Sequence, residues 1–133
     1  MTITRKASCR CGQLTVICKG EPVRVSVCHC SNCQKRSGSA FAVQARFAPE
    51  NVVIAGEERV WEAVSDSGNT ATFHFCPHCG SDAYYKAKPF SDLIAVPVGA
   101  FADNAFPGPI YSVYEGRMHK WVEILGNGVE HYE

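Results

Sequence analysis

Residues 71–80 read ATFHFCPHCG, a strand-like alternation that runs without a break into a cysteine pair closed by a glycine. Two cysteines three positions apart present two thiolates from one tight turn. The backbone N–H groups of such a turn face the sulfurs and offset their charge. Gly80 supplies the left-handed backbone that the turn needs. Residues 9–12, CRCG, end the same way at Gly12. Zinc favours four tetrahedral ligands, thiolate prominent among them, and two half-sites make one closed site. Cys9, Cys11, Cys76 and Cys79 are therefore expected to hold a structural zinc that staples the N-terminal strand to a later hairpin. The competing reading is four ordinary core cysteines.

The rest of the chain has the same texture, short apolar alternation broken by turn residues, which predicts strands. In residues 12–22, Leu14, Val16 and Cys18 share one face; in residues 23–30, Val23, Val25 and Val27 do. Residues 31–39, SNCQKRSGS, do not alternate, and Ser31 is expected to cap a helical turn ending at Gly38. Strands are expected in residues 40–47, 82–86, 93–101 and 110–114. Residues 51–56 and 59–64 read as a paired hairpin across Gly56-Glu57-Glu58, and SDSGNT (65–70) reads as a turn. Pro107 and Pro109 make residues 102–109 a loop. Residues 119–133 read as a strand, a turn at Gly126-Asn127-Gly128 and a tail. The expectation is one mainly β domain over residues 1–133.

The 133 residues include two Trp, five Tyr and seven Phe, enough apolar material for a core without disulfides. Thirteen Lys and Arg balance thirteen Asp and Glu. Zero net charge disfavours nucleic acid and anionic membrane as partners. No stretch approaches a membrane span, and MTITRKASC has no apolar signal core. A cytoplasmic location is expected, where eight cysteines read as metal ligands before disulfides.

Residues 28–33, CHCSNC, set a different problem, because three cysteines crowd into six residues. Cys28, Cys30 and Cys33 can hold one metal and leave a position open, the pattern of a catalytic zinc. A second structural site completed by Cys18 or His29 is the alternative. Cys18, however, lies on the apolar face with Leu14 and Val16. In an extended segment His29 points away from Cys28 and Cys30. His78 sits inside a metal turn, where side chains face solvent; His74, His119 and His131 have no ligand spacing. Three thiolates make a weak Lewis acid, poor at ionising water but suited to a fourth soft ligand, an incoming thiol. Lys35 and Arg36 follow on the helical turn, where they can offset the thiolate charge and hold a substrate carboxylate; they read equally well as solvated surface cations.

The segments CRCG, CHCSNCQKRSGSAF, FHFCPHCGS, VGAF and HKW resemble, in order and spacing, the glutathione-dependent formaldehyde-activating enzyme family, to which centromere protein V also belongs. The resemblance runs over roughly residues 5–122. It implies a β-tent of antiparallel sheets related to zinc-ribbon-like folds and two zinc ions per chain. Cys9, Cys11, Cys76 and Cys79 match the structural site, and Cys28, Cys30 and Cys33 the catalytic one. It implies a carbon–sulfur lyase chemistry that joins glutathione and formaldehyde as S-(hydroxymethyl)glutathione. Because that addition is spontaneous, a non-catalytic module that binds or carries glutathione, or docks a protein, is the alternative. A zinc nucleobase deaminase is excluded: it needs H/C-x-E before P-C-x-x-C, and the one H-x-E, His131 to Glu133, follows every cysteine.

Overall fold

Each alternating stretch that finds a neighbour becomes a strand, and backbone hydrogen bonds sort the strands into two sheets. The computed structural model describes residues 2–65 and 67–133. Met1, and Asp66 within the expected SDSGNT turn, lie outside the described residues. In chain order the strands are β1 (Thr4–Ser8), β2 (Thr15–Lys19), β3 (Arg24–Cys28), β4 (Ala42–Phe47), β5 (Val52–Ala55), β6 (Arg59–Val64), β7 (Thr70–Phe75), β8 (Asp82–Ala87), β9 (Ile94–Pro97), β10 (Tyr111–Val113) and β11 (Glu130–His131). Among the described residues one α-helix, α1 (Ser31–Ser37), lies between β3 and β4.

The small sheet has the order β1-β2-β5 and is antiparallel throughout. The large sheet runs β11-β10-β3-β4-β9-β8-β7-β6. It is antiparallel from β3 to β6, whereas β10 lies parallel to both β3 and β11. The two sheets share one apolar layer. Leu14, Val16 and Cys18 of the β2 face are fully buried. They cluster with Val25, Ala45, Phe47, Tyr84, Val96 and Phe101 from the large-sheet side. Full burial of such aliphatic side chains stabilises by about 1.5–3 kcal/mol each. Both cysteine pairs border this layer. The protein is thus mainly β, with sheets meeting over a common core as in the β-tent that the resemblance implies.

Four local expectations need correction. Residues 51–56 and 59–64 do not pair: β5 adds to β2, and β6 pairs with β7. The chain changes sheets at Gly56, whose φ is +118° and whose missing side chain lets the backbone pass against Gln13 and Leu14. A tight hairpin and a sheet crossover both call for glycine, so the local pattern is the same. The helix cap is Cys30, not Ser31, because the Cys30 sulfur accepts the Cys33 N–H at 3.3 Å; Gly38 ends the helix as expected. Residues 93–101 are a strand only to Pro97, then a 3-10 turn over Val98–Phe101. Residues 119–125 form no strand: no neighbour offers a ladder there, and Trp121 and Leu125 stay 75% and 76% exposed. Only β11 forms in that tail.

Candidate functional site

The first cysteine group is assembled by two turns, one from each sheet. Cys9 and Cys11 follow β1, and Cys76 and Cys79 lie between β7 and β8. Their four sulfurs lie within 4.8 Å of one another. The Cys9–Cys11 and Cys11–Cys76 separations are 3.6 and 3.8 Å. A tetrahedral site with zinc–sulfur bonds of about 2.3 Å sets its sulfurs about 3.8 Å apart, whereas a disulfide needs about 2.05 Å. The spacing therefore suits a shared metal and not a disulfide. The turns also aim donors at the sulfurs. Leu14 N–H donates to Cys9 at 3.3 Å and His78 N–H to Cys76 at 3.4 Å. The Gln13 side-chain amide donates to Cys76 at 3.0 Å, and its other contacts tie it to both backbone groups of Glu57. Gly12 and Gly80 take φ of +86° and +79°. The Ser81 hydroxyl and the backbone N–H groups of Cys11 and Ser81 hold the Cys79 thiol down to about 5. Burial works against Cys76, but Gln13 and the N–H groups of Cys79 and His78 still lower it. Such thiols shed protons readily to a metal. His78 is outside this group, paired with Glu57 at 2.9 Å and half exposed.

The second group sits where β3 gives way to α1. Cys28 is the last residue of β3, Cys30 caps the helix and Cys33 lies in its first turn. Their three sulfurs also lie within 4.8 Å of one another. A hydrogen bond from Cys28, aided by the Arg36 charge, pulls the Cys33 thiol down to about 6 despite its burial. The same hydrogen bond and burial push Cys28 upward. Of the two thiols, Cys33 is therefore the more readily ionised. Neither suggested fourth ligand joins the group. Cys18 is buried between the sheets, which pushes its thiol up to about 12. His29 is fully buried on the other side of the strand, its Nε2 3.0 Å from the Ser112 hydroxyl. Among the described residues, the second group is three sulfurs.

Gln34 anchors the helix that carries Cys33. Its amide nitrogen donates to the carbonyls of His29 at 2.8 Å and Arg117 at 3.3 Å, and its oxygen lies 2.9 Å from His119 Nε2. His74 stacks on Tyr84 and meets Glu58, and His131 meets Glu115.

Cys28 and Cys33 open into a cavity of about 670 Å³. Its described lining contains no Asp, Glu or His, but five cations: Arg24, Lys35, Arg36, Arg46 and Lys88. Trp61, Phe73, Tyr85 and Phe90 supply aromatic walls. Lys35 lines this cavity. Arg36 is already engaged, 3.5 Å from Asp82, 3.9 Å from the Cys33 sulfur, and packed on Phe73 and Tyr85. Sequence reasoning missed Arg24 and Arg46. The signal was present in the alternation of residues 24–28, which puts Arg24 and Ser26 on the same face as Cys28. Gln13 and Gln34 carried no comparable signal, because both act through contacts distant in sequence.

The sequence profile of the family described as "Glutathione-dependent formaldehyde-activating enzyme" matches residues 4–117. A Colletotrichum graminicola protein named "Putative glutathione-dependent formaldehyde-activating enzyme" is 26% identical over 114 residues, or 84% of this chain. The chain spans 59% of the length of that relative. A crystal structure of a Rhodobacter sphaeroides protein superimposes with a TM-score of 0.55 at 22% identity, covering 71% of this chain and 85% of that one. That likeness concerns the fold alone.

Proposed function

Because the chain belongs to the glutathione-dependent formaldehyde-activating enzyme family, we propose that it is a carbon–sulfur lyase-type enzyme acting on the adduct of a small thiol with an aldehyde. Glutathione and formaldehyde, giving S-(hydroxymethyl)glutathione, are the proposed pair. The observation that carries this reading is the three-sulfur group, two of whose members, Cys28 and Cys33, line a cavity rich in cations and, among its described residues, free of carboxylates.

Two zinc ions fit the two groups. Cys9, Cys11, Cys76 and Cys79 would hold the structural one, and Cys28, Cys30 and Cys33 the other. At the second site zinc supplies Lewis acidity that favours the thiolate form of a bound thiol. The chain's own residues supply the rest. Cys30 and Cys33 are fixed by the helix cap, and Gln34 holds that helix against the Arg117 segment. Arg36 offsets thiolate charge beside Cys33. Lys35 is the proposed contact for a substrate carboxylate nearest the sulfurs. In the addition, a sulfur–carbon bond forms, the carbonyl π pair moves to oxygen, and the proton lost by sulfur returns to that oxygen. Tyr85 borders the cavity as a protonated hydroxyl, since burial raises its pKa despite Arg46 and Arg36. A cytoplasmic setting, rich in glutathione, belongs to the same proposal.

A binding module without turnover is the second reading. It is favoured by the cavity's lack, among its described residues, of a histidine or carboxylate to serve as general base. Exchange NMR with isotopically labelled formaldehyde separates the two. The enzyme reading expects metal-replete protein to accelerate adduct exchange above the spontaneous rate, and Cys30→Ser to lose the acceleration. Tight glutathione binding with no acceleration would leave only the module.

A further inference from the structure

β3 and β4 set two arginines into the cavity without a counter-charge. The ladder register puts Arg24 directly opposite Arg46, and like charges so opposed destabilise a sheet. Phe90 lies against both, its ring centroid 5.0 Å from the Arg24 guanidinium carbon and 5.1 Å from that of Arg46. Arg24 also covers Tyr111 at 4.0 Å. The only side-chain hydrogen bond to either, among the described residues, runs from Arg46 Nη1 to the Ser26 hydroxyl at 3.2 Å. Arg24 Nε is buried without a partner, as is Gln44 Oε1 beside it on the same strand pair. Among the described residues neither arginine meets a carboxylate, although Arg5 and Arg36 each do. The aromatic faces flank both cations, and apart from Arg46 Nη1 their side-chain N–H groups have no hydrogen-bond partner among the described residues. A planar fork held this way suits a carboxylate.

The distance along the strand sets the kind of molecule. Arg24, Ser26 and Cys28 share a face, and four residues of strand cover about 13 Å. A thiol of a few heavy atoms cannot span that length. An extended peptide, at about 3.3–3.6 Å per residue, spans it in about four residues, and in fewer where the arginine and cysteine side chains cover part of the distance.

We propose that Arg24 and Arg46 form the carboxylate-binding end of the substrate site, selecting a peptide-length thiol whose carboxylate lies far from its sulfur. The inference rests on the reading that Cys28, Cys30 and Cys33 mark the thiol end. It adds a carboxylate contact far from the sulfurs to the near one proposed for Lys35, and leaves Arg36 to Asp82 and Cys33.

Titration calorimetry on the metal-replete protein tests it with three ligands: glutathione, S-methylglutathione, which has no free thiol, and 2-mercaptoethanol, which has no carboxylate. Arg46→Gln and Arg24→Gln are expected to weaken glutathione and S-methylglutathione about tenfold or more, the size of one lost charge-assisted contact. Binding of 2-mercaptoethanol should stay within about twofold by the same reasoning. Arg46→Lys, which keeps the charge but loses the fork, should fall between. Equal weakening of 2-mercaptoethanol overturns the proposal, since the variants would then only distort the cavity. Unchanged glutathione binding overturns it too. If S-methylglutathione responds to Arg46→Gln while glutathione ignores Cys30→Ser, the thiol reading falls and the carboxylate site stands. Thermal midpoints check folding, and Arg46→Lys carries the test if a glutamine variant does not fold.

Discussion

Gly56→Ala is the sharpest probe of how the chain changes sheets. A Cβ there would run into the Gln13 carbonyl and sit 2.8 Å from Leu14 Cα, closer than real Cβ atoms come. Both neighbours are backbone, so neither can rotate aside. The φ of +118° adds strain of about 1–3 kcal/mol for a residue with a side chain. Forcing the strands apart adds about 1–3 kcal/mol as overpacking. The paired Gln13–Glu57 hydrogen bonds, both 2.8 Å, stand to lose about 1 kcal/mol more. The expected loss is about 3–7 kcal/mol, a large part of a domain's usual 5–15 kcal/mol. Gly20→Ala is the control. Its φ is +83° but its nearest neighbour is a Thr2 methyl at 3.9 Å, so only the backbone cost of about 1–2 kcal/mol applies. Urea unfolding of both variants at a fixed free zinc concentration gives the comparison. Equal losses in the two variants would refute the crossover clash.

Further outcomes follow from the cysteine groups. Cys79→Ala should lose the structural metal and most of the fold, since metal binding at a closed site is folding free energy of about 10 kcal/mol in zinc-finger peptides. Cys30→Ser should lower metal content by about one ion, as elemental analysis would read, yet keep a near-native thermal midpoint because serine also caps a helix. An equal collapse in both variants would make the second group structural. In protein that keeps the metal of the first group but lacks that of the second, Cys33 should be the first residue of its group to react with iodoacetamide. Its rate should climb as pH rises through about 6, where the thiolate forms, while Cys28 stays protonated and slow. Peptide mapping that finds Cys28 modified first would reverse the assignment of thiol and thiolate.

The buried face of β2 was legible because Leu14, Val16 and Cys18 alternate and all three are fully buried. The two cysteine groups were legible because a metal turn compresses its ligands into a few residues. What escaped was set by partners distant in the chain. β5 and β6 look like a hairpin, yet the ladder donors of β5 are taken by β2, and nothing near Gly56 records that choice. Residues 119–125 have strand-like alternation but no neighbour to pair with. The Cys30 sulfur does the capping expected of the Ser31 hydroxyl, because the cysteine precedes the first helical residue. Arg24 and Arg46 become a pair only through the β3–β4 register, which neither local pattern contains.

The Gln34 clasp gives the second cysteine group a history during synthesis. Cys28, Cys30 and Cys33 leave the ribosome almost together, so a metal could meet all three at once. The carbonyl of Arg117 that secures their helix comes 83 residues after Gln34. At about 5–20 residues per second it follows some 4–17 s later. The parallel strand β10, which lies beside β3, also arrives in that late segment. A nascent chain thus carries its three sulfurs without that clasp for seconds, open to oxidants and competing metals before the cavity closes around them.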